Sequence, residues 1–146
     1  MEILDSNRIM AISTVRSDGW PQTTLVGYAN EGFTIYFVIF RASQKFANIQ
    51  ADDRVSVAVG QEPPDMRLAK ALYAAAFASE LKDSDSREHA WRVLARKHPN
   101  LLGRPLPDPA ITAIMRAECR HVSVLDYGKG LGHIDALTVT AGEVEE

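Results

Sequence analysis

The sequence predicts a mainly β (α+β) fold, a small antiparallel barrel of six strands decorated by a few helices. Two observations carry this prediction. Apolar and polar residues alternate in short runs, separated by turns that contain glycine, through most of the first sixty positions. Three segments change instead to the spacing of a helix. Strands that are joined by hairpins leave no unpaired edge when they close into a barrel.

The first three strands follow one another closely. Residues 10–16 form a strand that ends at the turn 17–19, and residues 22–29 form a second that ends at the loop 30–32. Both turns end in glycine, which suits a positive φ. The third strand follows the second loop and ends at Phe40. It has apolar residues at almost every position, which predicts that both of its faces are covered.

The chain then alternates between helix and sheet. Ser43 is a good N-cap for a short helix that ends before Asp52, and residues 55–59 alternate as a fourth strand. Residues 68–81 fit a helix because of their alanines. They also fit a long strand, because large apolar residues recur at alternate positions. Residues 120–127 return to sheet.

Two more helices are predicted in the second half. Asp85 and Ser86 cap the first, which Pro99 stops. Its apolar stripe indicates packing against a core: Trp91, Leu94, Ala95 and His98. Asp108 is the N-cap of the second, with Pro109 at the first helical position. The apolar face of this second helix has three residues: Ile111, Ile114 and Met115.

Composition bounds the class of protein. With 146 residues, of which 46% are apolar and 24% charged, the chain fits one globular domain over residues 1–146. A net charge of −3 argues against a role in nucleic-acid binding. The sequence has no apolar stretch long enough to span a bilayer and no secretory signal, so we expect a cytoplasmic protein without membrane contact.

Cysteine and histidine usage argues against a metal site. Cys119 is the only cysteine, which suits a reducing cytoplasm, and we expect it to be a small buried hydrophobe. Cys119 and His121 stand two apart on a predicted strand and should share one face, but two ligands do not make a zinc site. None of the four histidines forms an H-x-x-x-H pair.

Two segments could bind a ligand. Arg41, Ser43 and Lys45 lie where a strand runs into a helix, and the positive end of a helix favours an anion such as phosphate. The alternative is a capped surface helix with two solvated cations. Residues 22–24 are polar and precede Gly27 in one strand, which could bind the edge of a planar heterocycle. The alternative is an amphipathic strand with one solvated face.

Residues 127–133 carry three glycines and a lysine, but they lack the spacing of a nucleotide-binding loop. The residues that follow look extended rather than helical, so this segment is interpreted as a mobile loop or an inter-subunit tail.

The ordered motifs of the first sixty residues resemble the pyridoxamine 5′-phosphate oxidase-like family of FMN-binding split barrels. The motifs are MAISTVR at 10–16, SDGWP at 17–21, QTTLV at 22–26, FTIYF at 33–37, SQK at 43–45 with Asn48 and Ile49, and DRVS at 53–56. This resemblance implies a split β-barrel with Greek-key topology, in which residues 68–81 are the next long strand. The end of the chain resembles the tail of some small members, with a Tyr-x-Lys-Gly-x-Gly-His pattern.

The resemblance also implies a homodimer with two FMN molecules in clefts between the subunits. The residues that match the ring-facing strand are Gln22, Thr23, Thr24, Leu25 and Val26. Val38 and Ile39 match the strand end that flanks the flavin. Ser43, Gln44 and Lys45 match the phosphate site, beside Arg41. Lys45 is expected to neutralise the charge of the phosphate.

Departures from the pattern argue against the family's namesake reaction. Gln44 and Lys45 stand where the true oxidases have an Arg-Lys pair, and the end of the chain lacks their tryptophan and arginines. The prediction is therefore an FMN-dependent oxidoreductase of unknown substrate, without an assigned catalytic residue. The alternatives are a deazaflavin-dependent reductase and a non-catalytic protein that binds flavin or haem, with His121 and His133 as candidate haem ligands.

Overall fold

The structure, a computed structural model, describes residues 2–61 and 63–140. The seven strands follow in chain order: β1 Ile9–Val15, β2 Pro21–Glu31, β3 Thr34–Phe40, β4 Arg54–Gly60, β5 Lys70–Glu80, β6 Thr112–Asp126 and β7 Ile134–Thr138. The three α-helices are α1 Glu2–Ser6, α2 Gln44–Ala51 and α3 Ser84–Lys97. No helix in this part of the chain has the length and apolar character needed to cross a membrane.

The strands close into an antiparallel barrel. Their order is β3-β2-β1-β4-β5-β6, and β6 pairs again with β3. After the β1-β2-β3 meander the chain returns to place β4 beside β1, as in a Greek key. Closure removes the free strand edges of an open sheet. The predicted six-stranded barrel with peripheral helices is confirmed, and β7 adds a seventh strand along the second half of β6.

Two apolar clusters hold the fold together. The larger fills the barrel, where Ile12, Phe37 and Leu72 are among its fully buried residues. The smaller lies between the barrel and α3, where Tyr36 packs with Leu94. Since β3 contributes to both clusters, its two faces are covered as its sequence predicts.

The prediction of a helix that begins at Asp108 was wrong. Asp108 caps a single turn, in which its side chain accepts from the Ala110 N–H at 2.9 Å and its carbonyl accepts from the Thr112 N–H at 2.9 Å. The chain then continues as the fifteen-residue strand β6. Ile114 and Met115 are both buried because one packs under α3 and the other inside the barrel. A strand covered on both faces produces an apolar run that resembles a helical stripe.

Other boundaries needed smaller corrections. The N-cap of α3 is Asp83, two residues before the predicted start, and its side chain accepts from the Ser86 N–H at 2.9 Å. Residues 68–81 were correctly predicted as a strand, which is β5. The face of α3 that packs against the barrel is Ala90, Val93 and Leu94, with Trp91 partly buried beside it, so the predicted stripe is confirmed at Leu94 but is shifted around the helix. His98 at its end lies 2.7 Å from the Tyr28 carbonyl oxygen.

Candidate functional site

A continuous groove crosses the outer face of β1, β2, β4, β5 and β6. Three adjoining hollows of about 520, 660 and 410 Å³ form it, and the smallest shares lining residues with both others. Its floor consists of small side chains from neighbouring strands: Ala11, Ser13, Ser56, Ala58 and Ala75. Ser13 pairs with Ser56, and Ser56 pairs with Ala75, so these residues form a row across three strands. Side chains this short leave a flat floor that a planar ligand could contact.

Larger apolar side chains stand around this floor. Leu25 is 73% exposed, and Tyr73 and Phe77 are each 44% exposed. Ile9, which lines the groove, and Ile134, which pairs with the groove residue Leu125, are also exposed apolar residues. Contiguous exposed apolar surface on a small protein marks a place where a ligand or another chain binds.

The predicted ring-facing segment of β2 divides between the two sides of the strand. Thr23 and Leu25 face outward and line the groove. The hydroxyl of Thr23 lies 2.7 Å from that of Ser13 on the neighbouring strand. Because side chains alternate along a strand, residues 22, 24 and 26 face the barrel instead.

The inward side chains of this segment, at positions 22, 24 and 26, make their contacts on the barrel side of β2. Val26 packs against the core. The Thr24 hydroxyl is buried and has no hydrogen-bond partner in the described part of the chain. Gln22 accepts a hydrogen bond from Asn48 of α2 at 3.1 Å. The structure therefore brings two of the five predicted β2 residues, Thr23 and Leu25, to the groove.

Buried Asn48 ties the predicted phosphate helix to the barrel. It is 2% exposed, and its amide donates to Thr14 at 3.0 Å as well as to Gln22. Its side-chain oxygen accepts from Gln44 at 2.8 Å. Thr14 of β1 lines the largest hollow of the groove, so the network links α2 to a strand that borders that hollow. Two predicted site residues on separate elements, Gln22 and Gln44, share this one partner.

The start of α2 has the geometry expected of a capped helix. The Ser43 hydroxyl accepts from the Phe46 N–H at 3.2 Å and donates to the Phe40 carbonyl at 2.6 Å. The Lys45 side chain is half-buried and forms no hydrogen bond or ion pair with any described residue. A cation without a carboxylate partner at a helix start favours the binding of an anion.

The Arg41 side chain forms an ion pair and a hydrogen bond with residues of other parts of the chain. Its guanidinium pairs with Glu80 at the end of β5, and its Nε donates to the Pro109 carbonyl at 2.5 Å. It also lies 5.3 Å from the centre of the Phe46 ring. The hydrogen bonds from Arg41 lower the pKa of the Glu80 carboxyl. This pair fastens the end of β3 to β5, and a phosphate would have to compete with Glu80 for the guanidinium.

The side chains of Val38 and Ile39 are away from the groove. Val38 packs under α3, and Ile39 is 4% exposed inside the barrel. Within one chain, neither side chain shares a surface with Thr23 and Leu25.

His121 enters the groove because of an irregularity in β6. Ala75 pairs with His121 and Ala76 pairs with Cys119, so Arg120 has no partner on β5. The prediction that Cys119 and His121 share a face was wrong, since the extra residue reverses the alternation. Cys119 is 1% exposed, as expected of a small buried hydrophobe, whereas His121 lines two of the hollows. Within residues 2–61 and 63–140, no three His, Cys, Asp or Glu side chains form a metal-ligand cluster.

The glycine-rich segment makes the turn between β6 and β7. Lys129 and His133 both contact Asp135, at 3.3 and 3.2 Å, and these contacts lower the pKa of its carboxyl. The Gly128 N–H donates to the Asp126 side chain at 2.9 Å. The segment is therefore held by contacts within its own chain.

Sequence reasoning missed the floor of the groove and the Asn48 network. The floor had a signal: the outward positions of β1 and β4 hold Ala11, Ser13 and Ser56, where a solvated strand usually carries larger polar side chains. The sequence signal for the Asn48 network was weaker. It is a lone Asn on the apolar side of a helix, which gives no indication of its partners.

The geometry can be compared with known proteins. The family model of pyridoxamine 5′-phosphate oxidase matches residues 1–125. The sequence matches no curated protein. A FAD-binding protein from Mesorhizobium loti is similar in structure, with 26% identity, 84% of this chain and 88% of that chain covered, and a TM-score of 0.67.

Two further solved structures are similar in fold alone. General Stress Protein 26 from Bacillus anthracis has 20% identity, 94% of each chain covered and a TM-score of 0.70. A heme binding protein from Mycobacterium smegmatis has 16% identity and a TM-score of 0.78. The match covers 93% of this chain but only 55% of that one, so the chain spans about half its length. Since the family model matches most of the sequence, the chain belongs to the pyridoxamine 5′-phosphate oxidase family.

Proposed function

We propose that the outer-face groove binds a flavin, FMN, and that the chain acts as a flavin-dependent oxidoreductase. The observation that carries this proposal is the flat floor of Ala11, Ser13, Ser56, Ala58 and Ala75, which includes the strand β1 that Asn48 of α2 is hydrogen-bonded to. A flavin has a planar ring system and a phosphorylated side chain. The floor suits the ring, and the hydroxyls of Ser13 and Thr23 suit the polar edge of the ring.

The phosphate is assigned to the start of α2. Ser43 and Lys45 supply a hydroxyl and a cation there, next to unpaired backbone N–H groups. The Asn48 network holds this helix start against Thr14 at the groove. FMN has one phosphate, which matches one such site. Family membership and the FAD-binding neighbour support a flavin, and FAD would need additional surface for its adenosine part.

A second copy of the chain is proposed to cover the groove. Leu25, Tyr73 and Phe77 surround the floor with exposed apolar surface, and the burial of such surface favours association. A flavin in the groove would then lie between Thr23 and Leu25 on one side and the partner on the other. The flavin supplies electron transfer when bound, while the groove residues bind and orient it and exclude water.

The first test is an absorbance spectrum of the purified protein, followed by release of the chromophore and measurement of its mass. We expect FMN, or binding of added FMN with a micromolar Kd by calorimetry and a dimer by size-exclusion chromatography. Calorimetry with FAD and with a deazaflavin then ranks the cofactors. A colourless protein that binds none of the three would contradict the proposal.

Two variants locate the site. Lys45→Gln removes the cation at α2 and should weaken FMN about tenfold, since a charged hydrogen bond contributes roughly 1.5 kcal/mol or more. Ser56→Trp fills the floor and should abolish binding. Lys82→Gln, at an exposed lysine between β5 and α3, is the matched control. Equal FMN affinity of Lys45→Gln and Lys82→Gln would place the phosphate elsewhere.

Haem is the second candidate, and the exposed imidazole of His121 in the groove is the observation that favours it. The heme-binding neighbour shares the fold. A haem complex would show a strong Soret band that His121→Ala removes, whereas FMN binding should persist in that variant. This comparison separates the two cofactors in one preparation.

A further inference from the structure

A second pocket lies beside α3 and shares no lining residue with the groove. Its volume is about 530 Å³, and it is formed by α3 and the turn that follows it. Its main lining residues are Trp91, Arg92, Arg96, Leu101, Leu102 and Arg104. We propose that this α3 pocket binds a small organic anion, a carboxylate or phosphate attached to an apolar body.

The charge of the α3 pocket is not balanced by the protein. In residues 2–61 and 63–140, Arg92, Arg96 and Arg104 form no ion pair with a carboxylate. Glu88, one helical turn before Arg92, likewise forms no ion pair with any residue in the described part of the chain. This concentration of cations occurs in a chain with a net charge of −3.

Folding does not account for all three arginines. Arg96 lies in the last turn of α3, where the helix dipole favours a cation. Arg92 lies one turn earlier, and like charges at i, i+4 destabilise a helix by a few tenths of a kcal/mol. Arg104 adds a third cation from the following turn. A bound anion would relieve the repulsion among the three.

The interior of the pocket is apolar. Ala95 is 7% exposed. Trp91 and Leu101 are half-buried and pack against the smaller apolar cluster between the barrel and α3. Leu102 is 62% exposed at the rim. The Trp91 indole donates to the Arg104 carbonyl at 3.2 Å, which fixes the turn against the helix. The pocket is therefore preformed, and its ligand need not pay to order the turn.

These features define the ligand. Guanidinium groups bind carboxylate and phosphate in a bidentate manner and stack on aromatic planes. A volume of about 530 Å³ is within the range of small-molecule sites. An anionic head at the arginines with an apolar body over Ala95 and Leu101 fits both parts.

The test follows the fluorescence of Trp91 in a Trp20→Phe background, which removes the other tryptophan. Phenyl phosphate and octanoate are the probes, and benzyl alcohol and 1-octanol are their neutral counterparts. We expect a Kd of about 1 mM or tighter for at least one anion, given the affinity usual for ligands of this size.

Arg92→Gln and Arg104→Gln should each weaken the anion about tenfold, which is the effect of losing one charged hydrogen bond. Arg16→Gln, which removes a paired arginine of the β1–β2 turn, should leave it unchanged. Circular dichroism confirms the fold of each variant. Neutral probes that bind as tightly as the anions, equal affinity in all variants, or no binding at 10 mM (about ten times the expected Kd) would each overturn the proposal.

Discussion

Replacement of Asn48 by alanine tests whether one buried amide fixes α2 to the barrel. Asn48 makes three hydrogen bonds, to Thr14, Gln22 and Gln44, at 3.0, 3.1 and 2.8 Å. Each contributes roughly 1 kcal/mol net. Gln22 and Gln44 can turn to water after the change, but the Thr14 hydroxyl is 2% exposed and would remain unpaired.

The expected cost is about 2–4 kcal/mol of the free energy of unfolding, with the unpaired hydroxyl as its largest part. For a chain of this length the cost corresponds to a fall in Tm of about 5–15 °C. Urea unfolding followed by circular dichroism measures it. Gln50→Ala, at an exposed position of the same helix, is the matched control and should change stability by less than about 0.5 kcal/mol.

A double-mutant cycle isolates the pair. Thr14→Val replaces the hydroxyl with a methyl group of similar size, so Asn48→Ala should cost about 1–2 kcal/mol less in that background. If the proposed phosphate site at the start of α2 is correct, FMN affinity should fall in Asn48→Ala and stay unchanged in Gln50→Ala, because that site moves with α2. A cost below about 0.5 kcal/mol, or no coupling in the cycle, would refute the network as the link between α2 and the groove.

Three further predictions concern other parts of the fold. The hydrogen bonds from Arg41 hold the pKa of the Glu80 carboxyl below its ordinary value of 4.5, so the pair stabilises the fold above that pH and the contribution is lost as the pH falls. Glu80→Gln should therefore flatten the dependence of urea midpoints on pH below 4.5. Burial lowers the pKa of Lys97 to about 8, which NMR titration of its side chain should detect. Because the unfolded state binds the Lys97 proton more tightly than the folded state, the free energy of unfolding should rise between pH 8 and 10.5. Gly60→Val should cost about 1–3 kcal/mol in urea unfolding, because a Cβ there would lie 3.1 Å from the Ala71 Cβ.

The strands that could be predicted are those with one plain alternation. In β1 and β4 every second residue is buried, and the sequence shows that period directly. In β6 the barrel covers one face and α3 covers the other, so Ile114 and Met115 are consecutive buried residues. Local spacing cannot distinguish such a strand from a helix. The ambiguity is resolved only by the position of α3, which belongs to the tertiary structure and cannot be read from local sequence.

The candidate site divides in the same way. The capped start of α2 is a local feature, and Ser43 behaves as its sequence predicts. The groove floor is not local, because Ser13, Ser56 and Ala75 become neighbours only through strand register. Asn48 likewise reaches Thr14 across 34 positions of sequence. Resemblance supplied the expectation that residues 22–26 face a flavin ring, but only the alternation of β2 shows that Thr23 and Leu25 are the ones that reach the groove.

The bulge at Arg120 shows how one backbone irregularity changes the chemistry of a surface. With regular alternation, Cys119 and His121 would both face the barrel, and the imidazole would be buried in an apolar core at a large cost. The extra residue keeps Cys119 inside and turns His121 outward, opposite Ala75 on the groove floor. One extra residue thus keeps the core apolar and places an imidazole in the groove. Its sequence, Cys-Arg-His, gives no sign of this, since a bulge is fixed by the two registers that it joins.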